Sequence, residues 1–491
     1  MIDGTPLLRA FARRRIAALQ AMDPVATQES LLRGLLRRAA ATGFGRAHGF
    51  EAMRDVAGFQ ARVPLRRYED FWRDWWSPAH PVLRDVSWPG LVPYFALSSG
   101  TTSGSTKFIP VTAPMMRANR AAALDTLAWH LHHHPAARPF AGKSFMLGGS
   151  TALRSLAPGV LAGDLSGIAA HEVPRLLRPW SWPPEPIALL PDWETKLARL
   201  VAETPRDQVR VLTGTPSWVL LLLDRMGGVP LPKLDLLIHG GVAWSPYAPR
   251  LAPHLPPGCA TREVYPASEG FVAIADRGDQ EGLRLNLDLG CFFEFVPVAE
   301  LDRPNPTRHW AATIETGIDY AVVISSCAGL FGYVLGDVVR FIGRAPPRLL
   351  ITGRTAWTLS LFGEHLDGAE IATALAASGI VAEEWLAGGE FVGVRGRHRI
   401  LVEGTAPPDA AQRLDAALNA ANEDVAAHRV GGQMLAPELV MLPAGAFHAW
   451  MRAQGKLGGQ HKVPRVIADP ARFATAVAGL TGGTSHGGTT P

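Results

Sequence analysis

Hydrophobic residues up to about residue 80 recur with the spacing of an α-helix. Two such sets are formed by Leu7, Leu8, Phe11, Ile16 and Leu19, and by Leu31, Leu32, Leu35 and Leu36. Because residues three or four positions apart lie on the same side of a helix, each set predicts one apolar face that packs against a core. The amino-terminal part of the chain is therefore predicted to be mostly helical.

From about residue 90 the pattern changes to short apolar runs that end in loops rich in Gly, Ser, Thr and Pro. These runs cover residues 93–97, 144–147, 209–212, 234–239 and 261–265, with helical patterns at 113–134 and 218–226 between them. Strands that alternate with helices predict an α/β fold, with a mainly parallel sheet covered by helices. Ligands of such sheets bind at the carboxyl ends of strands, so the loops after residues 97, 239 and 265 are the expected binding region.

Beyond about residue 355 the pattern indicates a smaller α+β unit. It contains two strands at 390–395 and 398–403 joined by a Gly-Arg turn, a helix at 409–428, a strand at 437–442 and a helix at 447–451. We therefore predict an N-terminal domain of residues 1–354 and a C-terminal domain of residues 355–481. Residues 482–491 are of low complexity and are predicted to be a disordered tail.

Composition and charge exclude several classes of protein. Of the 491 residues, 47% are apolar and 19% are charged, against about 25% charged in an average soluble domain, so the chain is not intrinsically disordered. The net charge of +4 comes from scattered basic residues rather than a Lys/Arg block, so no nucleic-acid partner is expected. Apolar stretches are shorter than the roughly 20 residues of a membrane-spanning helix, and no secretory signal is recognisable. Because the three cysteines, Cys259, Cys291 and Cys327, are widely spaced, we predict a cytoplasmic protein.

The segment at residues 98–110, Ser-Ser-Gly-Thr-Thr-Ser-Gly-Ser-Thr-Lys-Phe-Ile-Pro, carries the most informative chemistry. It lies between a predicted strand and a predicted helix. Its glycines allow a tight turn, its hydroxyl groups offer hydrogen-bond donors and Lys107 adds a positive charge, which together suit a polyphosphate. It is not a Walker A loop, because two residues separate Gly104 from Lys107. The alternative is an ordinary Ser/Gly loop without a ligand.

Three further segments carry candidate ligand groups. At and after the end of the fifth apolar run, Tyr265 can flank a purine, Ser268 can reach a phosphate and Glu269 can bind Mg²⁺, although a solvated glutamate is the alternative. Asp337, between a glycine and a Val-Val strand, can accept hydrogen bonds from ribose hydroxyls or can simply cap the strand. Lys462 lies in a Gly-rich stretch of the C-terminal domain and can be delivered by movement of that domain.

The order and spacing of these segments resemble the acyl/aryl adenylate-forming superfamily of luciferases and acyl-CoA synthetases. More narrowly, the chain resembles the Gretchen Hagen family of acyl acid amido synthetases, plant enzymes that conjugate auxin or jasmonate to amino acids. The resemblance rests on residues 42–50, 63–70, 215–218, 239–241, 265–270 and 460–465. In the last of these, Gln-His-Lys-Val-Pro-Arg, His461 stands where the family has a tyrosine.

The resemblance implies a large adenylate-forming domain with mixed and parallel sheets, and a small C-terminal domain that moves as a lid. It implies that a carboxylic acid is adenylated by ATP with release of pyrophosphate, and that the acyl group then passes to an amine such as an amino acid. The implied phosphate and nucleotide contacts are Ser98, Ser99, Gly100, Thr101, Thr102, Lys107, Gly240, Gly241, Tyr265, Ser268, Asp337 and Arg354. Lys107, Glu269 and Lys462 are the implied catalytic residues, with Glu269 as the ligand of Mg²⁺.

The expected partners are a small-molecule acid and an amine, and we expect a monomer that binds no nucleic acid, membrane or carrier protein. Two alternatives remain: an acyl-CoA ligase that shares the adenylation step, and a non-catalytic nucleotide-binding protein. The C-terminal segment resembles the amido synthetases rather than the ligases. The joint presence of Lys107, Glu269, Asp337 and Lys462 favours an enzyme, because a binding protein needs only some of them.

Overall fold

The fold is taken from a computed structural model of the chain. It describes residues 2–98, 107–148, 153–190, 192–245, 247–279, 281–301, 303–354, 358–454 and 463–482. The predicted contacts Ser99, Gly100, Thr101, Thr102 and Lys462 lie outside these ranges, as does residue 483 onward of the predicted tail. Ser98 is described by its backbone alone.

The described chain begins with five α-helices, and strands and helices follow in a mixed order. The helices are α1 (Thr5–Gln20), α2 (Pro24–Ala39), α3 (Gly43–His48), α4 (Val56–Arg62), α5 (Tyr68–Phe71), α6 (Ala113–His133), α7 (Leu165–His171), α8 (Glu185–Ala188), α9 (Trp193–Glu203), α10 (Pro216–Met226), α11 (Ala248–Leu251), α12 (Gly368–Ala377), α13 (Ala410–Ala421), α14 (Glu423–Val430), α15 (Ala446–Ala453) and α16 (Pro470–Thr481). The strands are β1 (Tyr94–Ser98), β2 (Lys107–Val111), β3 (Lys143–Leu147), β4 (Arg154–Ala157), β5 (Val160–Gly163), β6 (Ser181–Trp182), β7 (Val209–Gly214), β8 (Leu236–His239), β9 (Ala260–Ala267), β10 (Gly270–Ile274), β11 (Leu283–Leu285), β12 (Cys291–Pro297), β13 (Asp319–Ser326), β14 (Leu330–Arg344), β15 (Pro347–Arg354), β16 (Thr358–Leu359), β17 (Leu366–Asp367), β18 (Val381–Val392), β19 (Arg395–Thr405), β20 (Glu438–Leu442) and β21 (Val466–Ile467).

One large sheet organises the body of the molecule. Within the described residues its eleven strands have the order β12-β13-β14-β15-β11-β10-β9-β8-β7-β3-β6. The strands from β6 to β9 in this order pair in parallel, whereas those from β9 to β12 pair antiparallel. A separate four-stranded sheet has the order β2-β1-β5-β4. The predicted α/β fold is confirmed, although the parallel arrangement covers only about half of the large sheet.

The parallel half of the sheet is buried on both faces. Neighbouring residues of a strand point to opposite faces, so they belong to different cores. Val211 and Leu236 belong to a core with α1 and α6, while Leu212 and Leu237 belong to a second core with α9 and α10. Continuous apolar runs are typical of such doubly covered strands. Parallel pairing also brings the carboxyl ends of β3, β7 and β8 to one edge of the sheet.

The predicted apolar face of α1 is only partly correct. Leu8, Ile16 and Leu19 are buried, but Leu7 and Phe11 are exposed. At 3.6 residues per turn, Leu7 lies on the side of the helix opposite to Ile16. The packing face is therefore narrower than the apolar pattern indicates, and two large apolar side chains remain in solvent.

The C-terminal part contains a long antiparallel hairpin of β18 and β19, flanked by β20 and β21. The two predicted strands fall within this hairpin, but the predicted Gly-Arg turn is wrong. The chain turns at Gly393, which has a φ of 63°, whereas Gly396 is paired inside β19. A Cβ at Gly396 would lie 2.5 Å from the Phe362 ring, so this glycine serves close packing.

The predicted helix at 409–428 is interrupted at Asn422, which separates α13 from α14. The backbone there is extended, with φ −141° and ψ 114°. The Asn422 side chain accepts a hydrogen bond from Val425 N (3.0 Å) and donates one to His365 O (3.1 Å). Asparagine favours such N-cap positions because its side-chain oxygen satisfies a free backbone N–H group.

The start of the C-terminal part contacts the helices that follow β7 and β8. Ser217 Oγ donates a hydrogen bond to Phe362 O (2.8 Å), and Tyr247 OH donates one to Leu361 O (2.6 Å). These bonds hold the segment after β16 close to the edge where the parallel strands end.

Candidate functional site

The loop that leaves β8 begins with two glycines, Gly240 and Gly241. A Cβ at Gly240 would lie 2.1 Å from Val264 O of β9, and Gly241 has a φ of 87°. Both positions therefore require glycine, one for close approach and one for backbone conformation. The loop packs directly beside the residue that precedes Tyr265.

Three predicted residues meet around the carboxylate of Asp337. The pairing of β14 with β15 places Asp337 opposite Arg354, whose Nε lies 3.0 Å from Asp337 Oδ1. From β9, Tyr265 OH donates a hydrogen bond to Asp337 Oδ2 at 2.5 Å. Each carboxylate oxygen keeps a lone pair for a further donor, so the group is held in place and can still accept hydrogen bonds from a ligand.

Glu269 lies in the turn between β9 and β10, next to Ser268. Its Oε1 accepts a hydrogen bond from Tyr333 OH of β14 at 3.1 Å. Burial raises the pKa of Glu269, while the Lys107 ammonium and the Tyr333 hydroxyl oppose this rise because both stabilise the carboxylate. Glu269 is thus a desolvated carboxylate whose charge depends on its neighbours.

Lys107 begins β2, opposite the end of β1 at Ser98. Its Nζ lies 5.3 Å from the centre of the Tyr68 ring. Burial lowers the pKa of Lys107, and the carboxylates of Glu69 and Glu269 oppose that effect. A buried ammonium and a buried carboxylate together suit a phosphate ligand that carries a metal cation. The ammonium then pairs with the phosphate, and the carboxylate pairs with the metal.

The structure brings five of the predicted residues into one electrostatically connected group. The charge of Lys107 lowers the pKa of Glu269, and the charge of Arg354 lowers the pKa of Lys107. Arg354 is paired with Asp337, which is bonded to Tyr265. The group lies beside the glycine loop after β8 and the start of β2 at Lys107.

Three side chains of this region are not among the residues predicted from the sequence. Tyr333 donates a hydrogen bond to Glu269. It precedes Asp337 by four residues in β14, and side chains an even number of residues apart on a strand point to the same face, which is the signal that could have identified it. Tyr68 lies under Lys107 and accepts a hydrogen bond from Phe108 N (2.9 Å), and burial raises its pKa to about 12. Asp367 is the buried N-cap of α12. Burial raises the pKa of Asp367, and the nearby Lys107 ammonium opposes this rise.

Comparison of the sequence with known protein families identifies three matching stretches. Residues 14–217 match the GH3 family N-terminal domain, residues 285–354 the GH3 family central domain and residues 369–471 the GH3 family C-terminal domain. Together the three stretches include Lys107, Asp337, Arg354 and the segment of Lys462.

Curated relatives match over shorter lengths. The probable indole-3-acetic acid-amido synthetase GH3.9 of Oryza sativa subsp. japonica is 39% identical over 83 residues, which are 16% of this chain and 18% of the relative. The indole-3-acetic acid-amido synthetase GH3.2 of Arabidopsis thaliana is 28% identical over 167 residues, 31% of this chain and 30% of the relative. The matches thus span less than a third of either relative.

Solved structures resemble the chain over nearly its whole length. The AtGH3.15 acyl acid amido synthetase in complex with 2,4-DB superposes with a TM-score of 0.59 at 17% identity, over 95% of each chain. The 2-hydroxyisobutyryl-CoA ligase in complex with 2-HIB-AMP and CoA superposes with a TM-score of 0.57 at 16% identity, over 93% of this chain and 92% of the ligase. The chain therefore has the fold of adenylate-forming enzymes.

Proposed function

Because this chain belongs to the GH3 family, we propose that it is an ATP-dependent acyl acid amido synthetase. The observation that supports this most is the grouping of Lys107, Glu269 and the Asp337–Arg354 pair at one sheet edge. Phosphate, Mg²⁺ and ribose of one nucleotide can be bound by these side chains at the same time. The proposed substrates are a small-molecule carboxylic acid and an amino acid or another amine. Residues 1–354 would form the adenylation domain, with residues 355–481 as the mobile C-terminal domain.

In the proposed first step, an oxygen of the substrate carboxylate attacks the α-phosphorus of ATP. The bond from this phosphorus to the α,β-bridging oxygen breaks, and pyrophosphate leaves with the electron pair. No covalent enzyme intermediate is needed, so catalysis consists of positioning and charge neutralisation. Lys107 supplies positive charge to the phosphates. The loop residues proposed to hold the phosphates are Ser98, Ser99, Gly100, Thr101 and Thr102, with Ser268 as a further hydroxyl.

The nucleoside would be fixed by the residues around Asp337. The carboxylate accepts hydrogen bonds from the ribose hydroxyls, and its orientation is set by Arg354 and Tyr265 on either side. The Tyr265 ring and the backbone of Gly240 and Gly241 would border the adenine. A preorganised acceptor of this kind loses little entropy when the nucleotide binds.

Glu269 is the proposed ligand of Mg²⁺. This ion is usually held by one or two carboxylates together with phosphate oxygens and waters. In the part of the chain that the structure describes, no group of three or more His, Cys, Asp and Glu side chains is arranged to hold a metal alone. A metal shared between Glu269 and the phosphates fits this arrangement. When bound, it would neutralise negative charge on the phosphates.

In the proposed second step, the amine nitrogen attacks the acyl carbonyl carbon. The bond from this carbon to the phosphate oxygen breaks, AMP leaves with the electron pair and the nitrogen loses a proton, which gives the amide. Lys462 is proposed to approach the α-phosphate or the bridging oxygens when the C-terminal domain moves, as hinged domains do in other enzymes.

Removal of the Tyr333 hydroxyl is expected to shift the pH dependence of adenylation. In Tyr333→Phe, Glu269 loses a hydrogen bond that stabilises its carboxylate, so its pKa rises further above the ordinary value. Because Mg²⁺ needs the ionised carboxylate, the acid limb of the pH–rate profile should move to higher pH. Tyr320→Phe, which removes a buried hydroxyl of β13 outside the site, should leave the profile unchanged. A profile for Tyr333→Phe that matches the parent would contradict the role of Glu269.

A side chain at Gly240 is expected to weaken nucleotide binding. In Gly240→Ala the new Cβ would meet Val264 O at 2.1 Å, so the loop after β8 must move away from β9. Overpacking of this kind costs about 1–3 kcal/mol, and we expect KM for ATP to rise by about tenfold. The matched control is Gly34→Ala in α2, where nothing lies within 4 Å of the new Cβ, and its KM should equal that of the parent. Equal KM values for both variants would show that this loop does not contact the nucleotide.

The proposed function is tested by supplying purified protein with ATP, Mg²⁺ and a panel of carboxylic acids, and measuring pyrophosphate release. We expect release that depends on the acid. Addition of an amino-acid mixture or of CoA then separates the acceptors, with the products identified by mass spectrometry. Amide formation is the expected result. Thioester without any amide would contradict the proposal, and so would tight ATP binding without acid-dependent pyrophosphate release.

A further inference from the structure

An exposed apolar surface lies near the amino terminus, on elements that carry none of the site residues. It consists of Ile2, Leu7 and Phe11, the last two on α1, together with Leu176 and Leu177 of the short 3-10 helix Arg175–Trp180. Ile2 is 82% exposed, Leu7 81% and Leu176 85%. We call these five residues the apolar patch. Exposed apolar residues are ordinary when they stand singly, but a group of this size indicates an interaction site.

The two parts of the apolar patch are joined by hydrogen bonds. Trp180 Nε1 donates to Ile2 O (3.1 Å) and to Phe140 O (2.9 Å), and Gly4 N also donates to Phe140 O (3.1 Å). A 3-10 helix rises about 2 Å per residue and an α-helix about 1.5 Å, so all five side chains start within about 20 Å of this junction. The five residues of the apolar patch therefore belong to one region of the molecule.

The two elements of the apolar patch carry exposed arginines without an ion pair in the described ranges, whereas Arg178 of the 3-10 helix is paired with Glu185 at 3.9 Å. Arg13 and Arg14 of α1 and Arg175 of the 3-10 helix are exposed, and none of them forms an ion pair within the described ranges. Residues 2–18 and 175–180 contain a single carboxylate, Asp3, which is paired with Arg138 at 2.8 Å. The surface is thus apolar and cationic at once.

We propose that the apolar patch and its arginines bind the surface of a lipid bilayer that contains anionic phospholipid. The leucine, isoleucine and phenylalanine side chains enter the boundary between headgroups and acyl chains, while the arginines attract the negative headgroups. Among the residues that the structure describes, no helix has the length and apolar composition needed to span a bilayer, so the contact is peripheral. This departs from the sequence-based expectation that the protein has no membrane partner.

A second copy of the chain fits this surface less well than a bilayer does. In a symmetric dimer the same surface patch of each copy lies against the other, so the unpaired Arg13, Arg14 and Arg175 of both copies would be brought together. Juxtaposition of like charges across an interface is strongly unfavourable. Anionic headgroups instead neutralise each arginine.

The test is co-sedimentation of the full chain with vesicles. One set contains phosphatidylcholine alone, and the other contains equal parts of phosphatidylcholine and phosphatidylglycerol. Leu7→Ser with Leu176→Ser removes apolar contact, and Arg14→Gln with Arg175→Gln removes charge. The matched control is Val381→Ser with Val430→Ser, two valines of the C-terminal part that are 67% and 76% exposed.

The parent is expected to bind the anionic vesicles and to be released by high salt, which screens the arginines. Each double variant of the apolar patch should bind about tenfold more weakly, whereas the valine control should bind like the parent. Acid-dependent pyrophosphate release should be equal in all four proteins, because the changes lie away from the site. The proposal is overturned if the parent does not bind anionic vesicles or if the leucine variant binds as the parent does. It is also overturned if the parent is a dimer that the leucine substitutions dissociate.

Discussion

Lys107→Met should lower kcat/KM for acyl-adenylate formation by about 10²–10³-fold, the loss typical when one charge-stabilising group is removed from a transition state. Methionine keeps most of the length and volume of the lysine stem, while the ammonium is lost together with its contact over the Tyr68 ring. Glu269 then loses the ammonium that opposes the rise in its pKa, so Mg²⁺ binding should weaken as well. Acid-dependent pyrophosphate release at saturating and limiting ATP is the measurement.

The second half-reaction provides an internal comparison for the Lys107 variant. When the variant is given preformed acyl-adenylate and an amine, the amide should form at close to the parental rate, because no pyrophosphate leaves in this step. Lys143→Met is the matched control, since Lys143 also begins a strand and donates a hydrogen bond to Pro179 O (2.8 Å) away from the site. If Lys107→Met forms adenylate as fast as Lys143→Met does, Lys107 does not contact the phosphates.

Asp337→Ala is expected to reduce kcat/KM for ATP by about 10³-fold, because two hydrogen bonds from ribose hydroxyls to a charged acceptor are lost at about 1.5–3 kcal/mol each. The substitution also leaves Tyr265 and Arg354 without their partner, so lost activity alone does not identify the contact. Comparison of ATP with its 2′-deoxy and 3′-deoxy analogues identifies the contact with the ribose hydroxyls. The parent should prefer ATP to both analogues, whereas the variant should use all three equally well.

Tyr265→Phe is the matched control for Asp337→Ala. It removes the hydroxyl that donates to Asp337 but keeps the carboxylate and the Arg354 pair, so the preference for ATP over the deoxy analogues should persist. Melting temperatures of both variants show whether either change unfolds the chain. An Asp337→Ala protein that still discriminates against the deoxy analogues as the parent does would exclude the ribose contact.

The parts of the fold that local pattern determines could be predicted from the sequence. The buried runs that became β3, β7, β8 and β9 are apolar because both faces of these strands are covered, and the polar loops that follow them mark the ends of the strands. Asp337 and Glu269 are candidates because charged residues stand directly beside apolar strand segments, and the roles proposed for them follow from the resemblance to the acyl acid amido synthetases. These signals are short in range, so no knowledge of the pairing partners is needed.

The parts that depend on distant partners could not be predicted. The opposition of Asp337 and Arg354 follows from the register of β14 with β15, and the bond from Tyr333 to Glu269 joins residues far apart in the sequence. Gly396 looked like a turn residue because its packing partner, the Phe362 ring, is remote in the chain. On α1, Leu7 and Phe11 share the apolar character of the packing residues but face solvent, so hydrophobicity alone assigned them to the wrong side.

Isotope transfer tests the central claim, that the chain joins an acid to an amine through an acyl-adenylate. The acid is prepared with ¹⁸O at both carboxylate oxygens and incubated with ATP, Mg²⁺ and an amino acid. The masses of the products are then measured by mass spectrometry. Because one carboxylate oxygen forms the bond to the α-phosphorus and stays there when the amine attacks, AMP should carry one ¹⁸O and the amide the other. Pyrophosphate should carry none. Label in inorganic phosphate together with ADP, or amide formation with unlabelled AMP, would contradict the account.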